Sequence, residues 1–452
     1  MNQRKLFGTD GIRGIANQYP LDPETMVKLG KAIAAVLLKE KKKHKPRIVI
    51  GKDTRLSGYL IEYSLAAGLV SMGVDVYLMG TLPTPGVAYL TRSMRMDFGV
   101  VISASHNAYE DNGVKIFSAD GHKLSDDLEN EIERMVLDGF EERVADVSSL
   151  GKSFRINDHV GRYTVFLKSC FPADYSLDGF KIGLDCANGA AYQVGSQPFH
   201  ELGAEVVVRG VSPSGKNINS GFGSLFPEVV RELVLEHNLD IGISLDGDAD
   251  RVVLVDENGL ILDGDQILAI CAIDLKERGL LKRDTVVATV MSNYGLEKTL
   301  SPHGIKVVRT AVGDRYVIEE MKSGGYNFGG EQSGHIVFGD WATTGDGLMT
   351  ALMVLAIVCR KNKKLSELVE GFVRVPQTLL NVKVDRKIPF EQIKNYSETI
   401  SKIEKSLMGQ GRLLVRYSGT ENKVRILVEC EDDVFCEKAA AEIARVFENA
   451  SF

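Results

Sequence analysis

Residues 72–77, MGVDVY, share one form with 202–207, LGAEVV, and 303–308, HGIKVV. In each, a helix would end at a glycine and a strand would follow, interrupted by one polar position. The copies lie roughly 100 to 130 residues apart, which suggests three similar α/β units. Helix–glycine–strand junctions also recur in any α/β chain, so the period alone leaves both readings open. Outward from these junctions, short β-branched runs read as buried strands: RIVIG at 47–51, FGVVI at 98–102, KIGLD at 181–185, DIGISL at 240–245 and TVVATVM at 285–291. Helical stretches such as 24–39 and 227–237 lie between them, so βαβ units with mixed sheets are expected. From Arg374 onward the pattern changes to strand 379–384, helix 389–406, strands 412–415 and 424–429, and helix 432–448. The expected fold class is therefore α/β, with three similar α/β domains carrying mixed sheets and a C-terminal α+β domain.

At 452 residues the chain is long enough for about three domains of ordinary size. Apolar residues make up 44% and charged residues 25%, which excludes a disordered or low-complexity chain. The net charge of −7 makes nucleic acid a poor partner. The 45 glycines point to many tight turns and to loops that bring backbone close to a ligand. Six scattered cysteines, with no CxxC pair, argue against a zinc site or a disulfide framework. The start, MNQRKLFGTDG, has no apolar core of a secretory signal. Leu348 to Cys359, nearly apolar throughout, is too short for a bilayer and reads as a buried helix. A cytoplasmic protein without a membrane partner is expected. The basic run KEKKKHKP (39–46) reads as a solvated helix end and loop.

Four loops carry candidate chemistry. In the first, ISASHNAYEDNGVKIF (102–117), a strand runs into Ser105, His106 and Asn107, with Lys115 after a turn at Asp111-Asn112-Gly113. A hydroxyl at a strand end projects into a cleft; an N-capped turn is the plain alternative. In the second, LDGDADRV (245–252), Asp246, Asp248 and Asp250 alternate with small residues that let the loop curl around one hard cation. Three clustered acids without a cation would repel one another. An EF-hand is excluded, because Arg251 stands where the sharp turn requires glycine. The third, GGEQSGHI (329–336), offers Glu331, Ser333 and His335 at alternate positions, a hydrogen-bonding set for sugar hydroxyls or an ordinary turn. The fourth, RLLVRYSGTENKVRILVE (412–429), presents Arg416, Ser418, Gly419, Thr420 and Arg425, the combination a phosphate needs, or a plain hairpin. Two lesser features, FGTDGIRG (7–14) with Arg13 and GKDTRLSG (51–58) with Lys52, Asp53 and Arg55, are equally consistent with a structural role.

Together the loops point to phosphoryl transfer on a phosphosugar. SASHN, DGDADR, GEQSGH and RxSGTE, in this order along essentially the whole chain, resemble the α-D-phosphohexomutase family. GEQSGH, VGDRYV (312–317) and LDCANGA (184–190) resemble its glucosamine branch. The resemblance implies four domains around a central cleft, one loop from each, divided at 1–150, 151–255, 256–373 and 374–452. It implies that Ser105 carries the phosphoryl group and that Asp246, Asp248 and Asp250 bind one Mg²⁺, with Ser105 as a further ligand through its phosphate. Glu331 and Ser333 match the sugar-contacting pair, and Arg416, Ser418, Gly419 and Thr420 the loop for the distal phosphate, with Arg425 nearby. Arg13, His106, Lys115, Arg251 and His335 match polar residues around the reacting phosphate. Ala108 and Asn422 depart from the family pattern, where many members have proline; neither supplies a reacting side chain.

The implied activity interconverts glucosamine 6-phosphate and glucosamine 1-phosphate through a phosphoserine enzyme and a sugar 1,6-bisphosphate, supplying UDP-N-acetylglucosamine for cell-wall synthesis. A glucose or mannose preference is the nearest alternative. A magnesium-dependent phosphatase would leave the SASHN and SGTE loops unexplained, and a silent phosphosugar-binding regulator would not retain every expected reacting residue. Lys115, helped by His106, is the expected general base. The fourth domain is expected to close over the cleft by a hinge near Val373 to Thr378. A homodimer is left open.

Overall fold

The computed structural model describes residues 6–8, 10–39, 44–141, 144–407, 409–418 and 422–448. These form four sheets. The first has seven strands, in the order Phe7–Gly8, Gly11–Ile15, Asp111–Ser118, Phe98–Ile102, Arg47–Lys52, Asp75–Thr81 and Ser153–Arg155. Its last four strands are mutually parallel, and Asp111–Ser118 returns antiparallel to Phe98–Ile102. The second sheet runs Ile261–Leu262, Val252–Asp256, Ile241–Leu245, Lys181–Asp185, Glu205–Arg209. The third runs Lys306–Thr310, Thr285–Thr289, Phe328–Gly330, Ile336–Phe338. The fourth is antiparallel, with Lys423–Cys430 between Gln377–Lys383 and Gly411–Tyr417.

The three repeat copies occupy equivalent places. Each follows a helix or turn and adds a strand parallel to the one before: Asp75–Thr81 on Arg47–Lys52, Glu205–Arg209 on Lys181–Asp185, and Lys306–Thr310 on Thr285–Thr289. The junction glycines have φ of +90° (Gly73), +104° (Gly203) and +69° (Gly304), values that only glycine adopts freely. The glycine thus ends one element and aims the next back into the sheet.

Two edge strands lie beyond residues 150 and 255. Ser153–Arg155 pairs with Asp75–Thr81, so the first sheet extends past residue 150. Ile261–Leu262 pairs with Val252–Asp256, so the second extends past residue 255. Short edge strands of two or three residues carry no periodicity of their own, and only the partner strand reveals them. Asp111-Asn112-Gly113 opens a strand instead of forming a turn. In the last domain the expected helix 389–406 starts late, at Tyr396, after a 3₁₀ turn at Phe390–Gln392.

Strand alternation sorts the core. In Arg47–Lys52, Ile48 and Ile50 face helices Pro23–Lys39 and Gly58–Ser71, whereas Val49 faces the opposite layer. That second layer is continuous: it links Val49 and Val101 of the first sheet through Tyr163 and Phe166 to Leu184 and Ile243 of the second and Val286 of the third. Leu348–Cys359 lies in the buried helix Gly347–Lys361, inside the same core. The fourth sheet has its own core, built on Val424, Ile426, Val428, Cys436, Ile443 and Phe447. No helix among the described residues is long and apolar enough to cross a membrane.

Candidate active site

Three strands end at one place. Ser105 follows Phe98–Ile102, Asp246 follows Ile241–Leu245, and Glu331 follows Phe328–Gly330. The C-terminal ends of strands in open α/β sheets are where ligands bind. Here they border a cavity of about 590 Å³ lined by Asp10, Arg13, Ser105, His106, Asp250, Arg251, residues 312–316, Glu331 and His335, among others.

Ser105 is 1% exposed and left-handed, with φ +52°. Its Oγ donates to Asp246 Oδ2 at 2.6 Å and lies 3.3 Å from His106 Nδ1. Burial, followed by the charges of Arg251 and Arg13, pushes the His106 imidazole down to about 4. It is therefore neutral near pH 7 and able to accept a proton.

The loop 246–251 joins the antiparallel strands Ile241–Leu245 and Val252–Asp256, not two helices as an EF-hand would. Asp246, Asp248 and Asp250 are buried, and one ligand atom from each falls within 4.8 Å of the others. Asp248 Oδ2 accepts from Thr84 Oγ1 (2.7 Å) and Lys115 Nζ (3.1 Å). Asp248 Oδ1 and Asp250 Oδ1 are buried without a hydrogen-bond partner. Two orphaned carboxylate oxygens in a three-acid loop fit a hard divalent cation. Burial, then Asp250 and Asp248, drive the Asp246 carboxyl well above its ordinary range.

Lys115, 2% exposed in its side chain, lies 3.2 Å from Asp10, 3.1 Å from Asp248 and 3.6 Å from Asp250. Burial opposes its charge, but these three carboxylates outweigh burial and raise it well above the ordinary lysine value. Three carboxylates at these distances favour its ammonium form, which can donate a proton. Arg13 donates from Nη1 to Ala104 O at 3.2 Å, and Arg251 donates its backbone N–H to Asp246 Oδ1 at 3.2 Å. The Nε atoms of both arginines are buried without a hydrogen-bond partner, as donors awaiting an anion would be.

The hairpin between Phe328–Gly330 and Ile336–Phe338 carries the third loop. Glu331 Oε1 accepts from Gly313 N (3.1 Å), and His335 Nε2 accepts from Gly345 N (3.0 Å) with Nδ1 3.6 Å from Asp250 Oδ2. Ser333 is exposed and is not among the cavity residues, so the expected Glu–Ser–His set is split. A five-residue hairpin loop does not keep the strict alternation that the sequence spacing implied.

In the fourth domain Arg416 and Arg425 stand directly opposite on neighbouring strands. Like charges facing one another are unfavourable unless an anion joins them. Arg425 Nε is buried without a hydrogen-bond partner, and burial followed by Arg425 lowers the Arg416 guanidinium. Ser418 is buried beside them, while Gly419 and Thr420 lie outside the described residues. Among the described residues, Arg416, Ser418 and Arg425 do not line the cavity. The domain instead docks on the third, where Arg412 donates to Ser292 O (3.0 Å) and Tyr294 N donates to Glu429 Oε1 (3.3 Å). The segment 373–377 is held by Asn293, through Val375 N to Asn293 Oδ1 (3.0 Å) and Asn293 Nδ2 to Val375 O (2.9 Å).

Sequence reasoning missed Asp10, Thr84, Lys123 and Asp314. Lys123 bridges Asp10 and Asp314, at 2.6 Å from the latter, and so ties the first domain to the third beside the cavity. Asp10 lay in the quoted FGTDGIRG turn and Asp314 in VGDRYV, so their motifs were visible; Lys123 had no local signal.

The domains described as phosphoglucomutase/phosphomannomutase match in order: alpha/beta/alpha domain I over residues 4–143, II over 162–259, III over 263–375 and the C-terminal domain over 379–446. The chain is 54% identical over 448 residues to a phosphoglucosamine mutase of Bdellovibrio bacteriovorus, covering 98% of each. It is 54% identical over 447 residues to one of Syntrophotalea carbinolica, covering 99% of this chain and 98% of that one. In structure it is similar to a phosphoglucomutase/phosphomannomutase family protein of Burkholderia thailandensis, with a TM-score of 0.81, 22% identity and coverage of 100% and 99%. The N-acetylphosphoglucosamine mutase of Aspergillus fumigatus, solved with GlcNAc-6P and magnesium, gives 0.65 at 16% identity, with coverage of 100% and 96%. These two likenesses concern the fold. With all four domain types matched in order and relatives more than half identical along nearly the whole length, the chain belongs to the phosphoglucomutase/phosphomannomutase family.

Proposed function

We propose that this protein is a phosphoglucosamine mutase, interconverting glucosamine 6-phosphate and glucosamine 1-phosphate through a phosphoserine at Ser105. The observation that carries the reading is the hydrogen bond from Ser105 Oγ to Asp246, which places a hydroxyl at the edge of a three-carboxylate cluster beside the cavity that Ser105 and Asp250 line. The names of the relatives, above half identity over nearly the full chain, supply the sugar.

The substrate's distal phosphate is held by Arg416, Arg425 and the loop from Ser418 through Gly419 and Thr420. Glu331, with Ser333 reaching in on closure, orients the sugar hydroxyls. Arg13, Arg251 and His335 surround the reacting phosphate. Lys115 supplies positive charge there, and the neutral His106 takes the proton of the attacking sugar hydroxyl. The sugar then carries phosphate at both the 1 and 6 positions, turns around, and returns one phosphoryl group to Ser105. Asp246, Asp248 and Asp250 would hold Mg²⁺, which neutralises phosphoryl charge when bound. Because either phosphate must fit the fourth-domain loop in turn, that loop reads charge and not ring detail. The segment Val373 to Thr378 is the hinge on which the fourth domain, with its separate core, swings to close the cavity against water. The domains divide after the edge strands 153–155 and 261–262 and at this hinge. Function is cytoplasmic, with a phosphosugar as the small-molecule partner.

Arg416→Ala is expected to raise KM for the sugar phosphate at least about tenfold with a smaller change in kcat, because a phosphate anchor contributes to ground state and transition state alike. Steady-state kinetics with glucosamine 6-phosphate checks this, and an effect on kcat alone contradicts the anchor assignment. The reading as a whole is tested by ³¹P NMR of glucosamine 6-phosphate incubated with the enzyme, Mg²⁺ and a trace of sugar bisphosphate. Growth of a sugar 1-phosphate signal is expected; free phosphate in its place would identify a phosphatase.

A further inference from the structure

Ser105 is one of five left-handed non-glycine residues gathered at the joint of the first two domains. The others are Ala187, Asn188, Asn219 and Ala249, with φ between +49° and +60°. Such a conformation is costly for residues with a Cβ and persists only where the surroundings impose it. At Ser105 two side chains hold the loop, and neither lines the cavity.

The first is Arg55, which is wholly buried. Its Nε pairs with Asp53 Oδ2 at 2.8 Å. Its Nη2 donates to Ser105 O (3.0 Å) and Asn107 O (2.8 Å), and its Nη1 to Asp111 O (3.0 Å) and Ala108 O. One guanidinium therefore satisfies four carbonyls of the serine loop. Asp53 extends the grip: its Oδ2 accepts from Ser103 Oγ (2.7 Å), which accepts from the Ser105 N–H (2.9 Å).

The second is Asn219, from the second domain. Its Nδ2 donates to the same two carbonyls, Ser105 O (2.8 Å) and Asn107 O (3.0 Å). Its backbone N–H is fixed on Ala187 O at 2.9 Å. Gly247, between the first two aspartates, packs against this joint. A Cβ there would meet Ser105 O at 2.5 Å and Asn219 Nδ2 at 2.8 Å. Besides the Ser105 Oγ–Asp246 hydrogen bond, the serine loop therefore meets the second domain through the Asn219 amide and the close approach of Gly247.

We infer that Arg55 and Asn219 are positioning residues for phosphoryl transfer: Arg55 shapes the serine loop from within its own domain, and Asn219 ties that loop to the second domain, setting Ser105 Oγ against the aspartates. The inference rests on the mutase reading of Ser105. Its geometric content is that two carbonyls each receive one donor from each domain.

Asn219→Gly is the clean test, because glycine accepts φ +60° and only the amide is lost. Asn219→Asp keeps the size and the tolerance of left-handed backbone but turns a carboxylate on two carbonyl oxygens. Both variants are expected to lower kcat per folded enzyme at least about tenfold while KM for glucosamine 6-phosphate stays within about twofold, the split expected when transition-state geometry alone suffers. Both should also raise the Mg²⁺ concentration that gives half-maximal rate. Folded fraction, read by thermal melting and near-UV circular dichroism, normalises the rates. If Asn219→Gly retains kcat, or loses it only in proportion to folded protein, the positioning assignment is wrong. Should Asn219→Asp not fold, the glycine variant decides alone. Ser105→Ala assayed alongside separates the two readings. Turnover by that variant overturns the phosphoserine, whereas a dead Ser105→Ala beside a fully active Asn219→Gly overturns only the tie.

Discussion

Ser105→Ala enzyme is expected to fold as the wild type does and to lose turnover of glucosamine phosphate. The substitution removes one oxygen, whose hydrogen bond to Asp246 is its closest contact with the carboxylate cluster. The backbone at 105 is left-handed, but Ala187 and Ala249 already hold that conformation at the same joint, and the carbonyl clamp from Arg55 and Asn219 does not involve the side chain. The melting temperature should therefore fall by no more than a few degrees, equivalent to about 1 kcal/mol. Activity should fall by about 10⁴-fold or more, because the variant cannot hold the phosphoryl group between its two transfers. Intact-protein mass after exposure to sugar bisphosphate checks the cause: the wild type gains a phosphoryl group and the variant does not. An active variant would remove Ser105 from the mechanism.

Asp248→Asn should be nearly as severe, and its signature is the metal. Asp248 Oδ1 is a buried acceptor without a donor, and its other oxygen is already engaged by Thr84 and Lys115. An amide there offers no second anionic oxygen to a hard cation, so kcat should fall by about 10²–10³-fold, the several kcal/mol that a Lewis acid contributes. Mg²⁺ should raise the melting temperature of the wild type and leave that of the variant unchanged. The same cluster sets a pH dependence. The folded Asp246 carboxyl is raised by burial and by Asp250 and Asp248, so the folded protein holds that proton more tightly than the unfolded chain. Its contribution is favourable at low pH and is lost as pH rises from about 4 upward. Metal-free enzyme should therefore lose stability across that range, and saturating Mg²⁺ should flatten the loss. A melting profile unaffected by chelator at every pH contradicts a metal at this loop.

Much of this site was legible because its chemistry is local. The aspartate loop, Ser105 with His106, and the facing Arg416 and Arg425 all lie within short segments at strand ends, where spacing in sequence is spacing in space. The three glycine junctions read correctly for the same reason. What could not be read was pairing across the chain. Lys123 meets Asp314 from 191 residues away and Asn219 meets Ser105 from 114, and nothing in either local sequence announces the partner. For Arg55 the local sequence does not distinguish structure from function; its burial under the serine loop joins the two. For Lys115 the local sequence shows a lysine after the serine loop, whereas its charge is favoured by Asp10, Asp248 and Asp250, three carboxylates from two other segments. The edge strands at 153–155 and 261–262 escaped because two or three residues cannot display a period.

The assignment to glucosamine is tested most sharply by comparing kcat/KM for the 1-phosphates of glucosamine, glucose and mannose, with Mg²⁺ and a trace of the matching bisphosphate. A preference for glucosamine of about tenfold or more is expected, corresponding to about 1.4 kcal/mol of transition-state discrimination. A preference for glucose or mannose would contradict it, keeping the phosphoserine chemistry and moving the protein to another branch of its family.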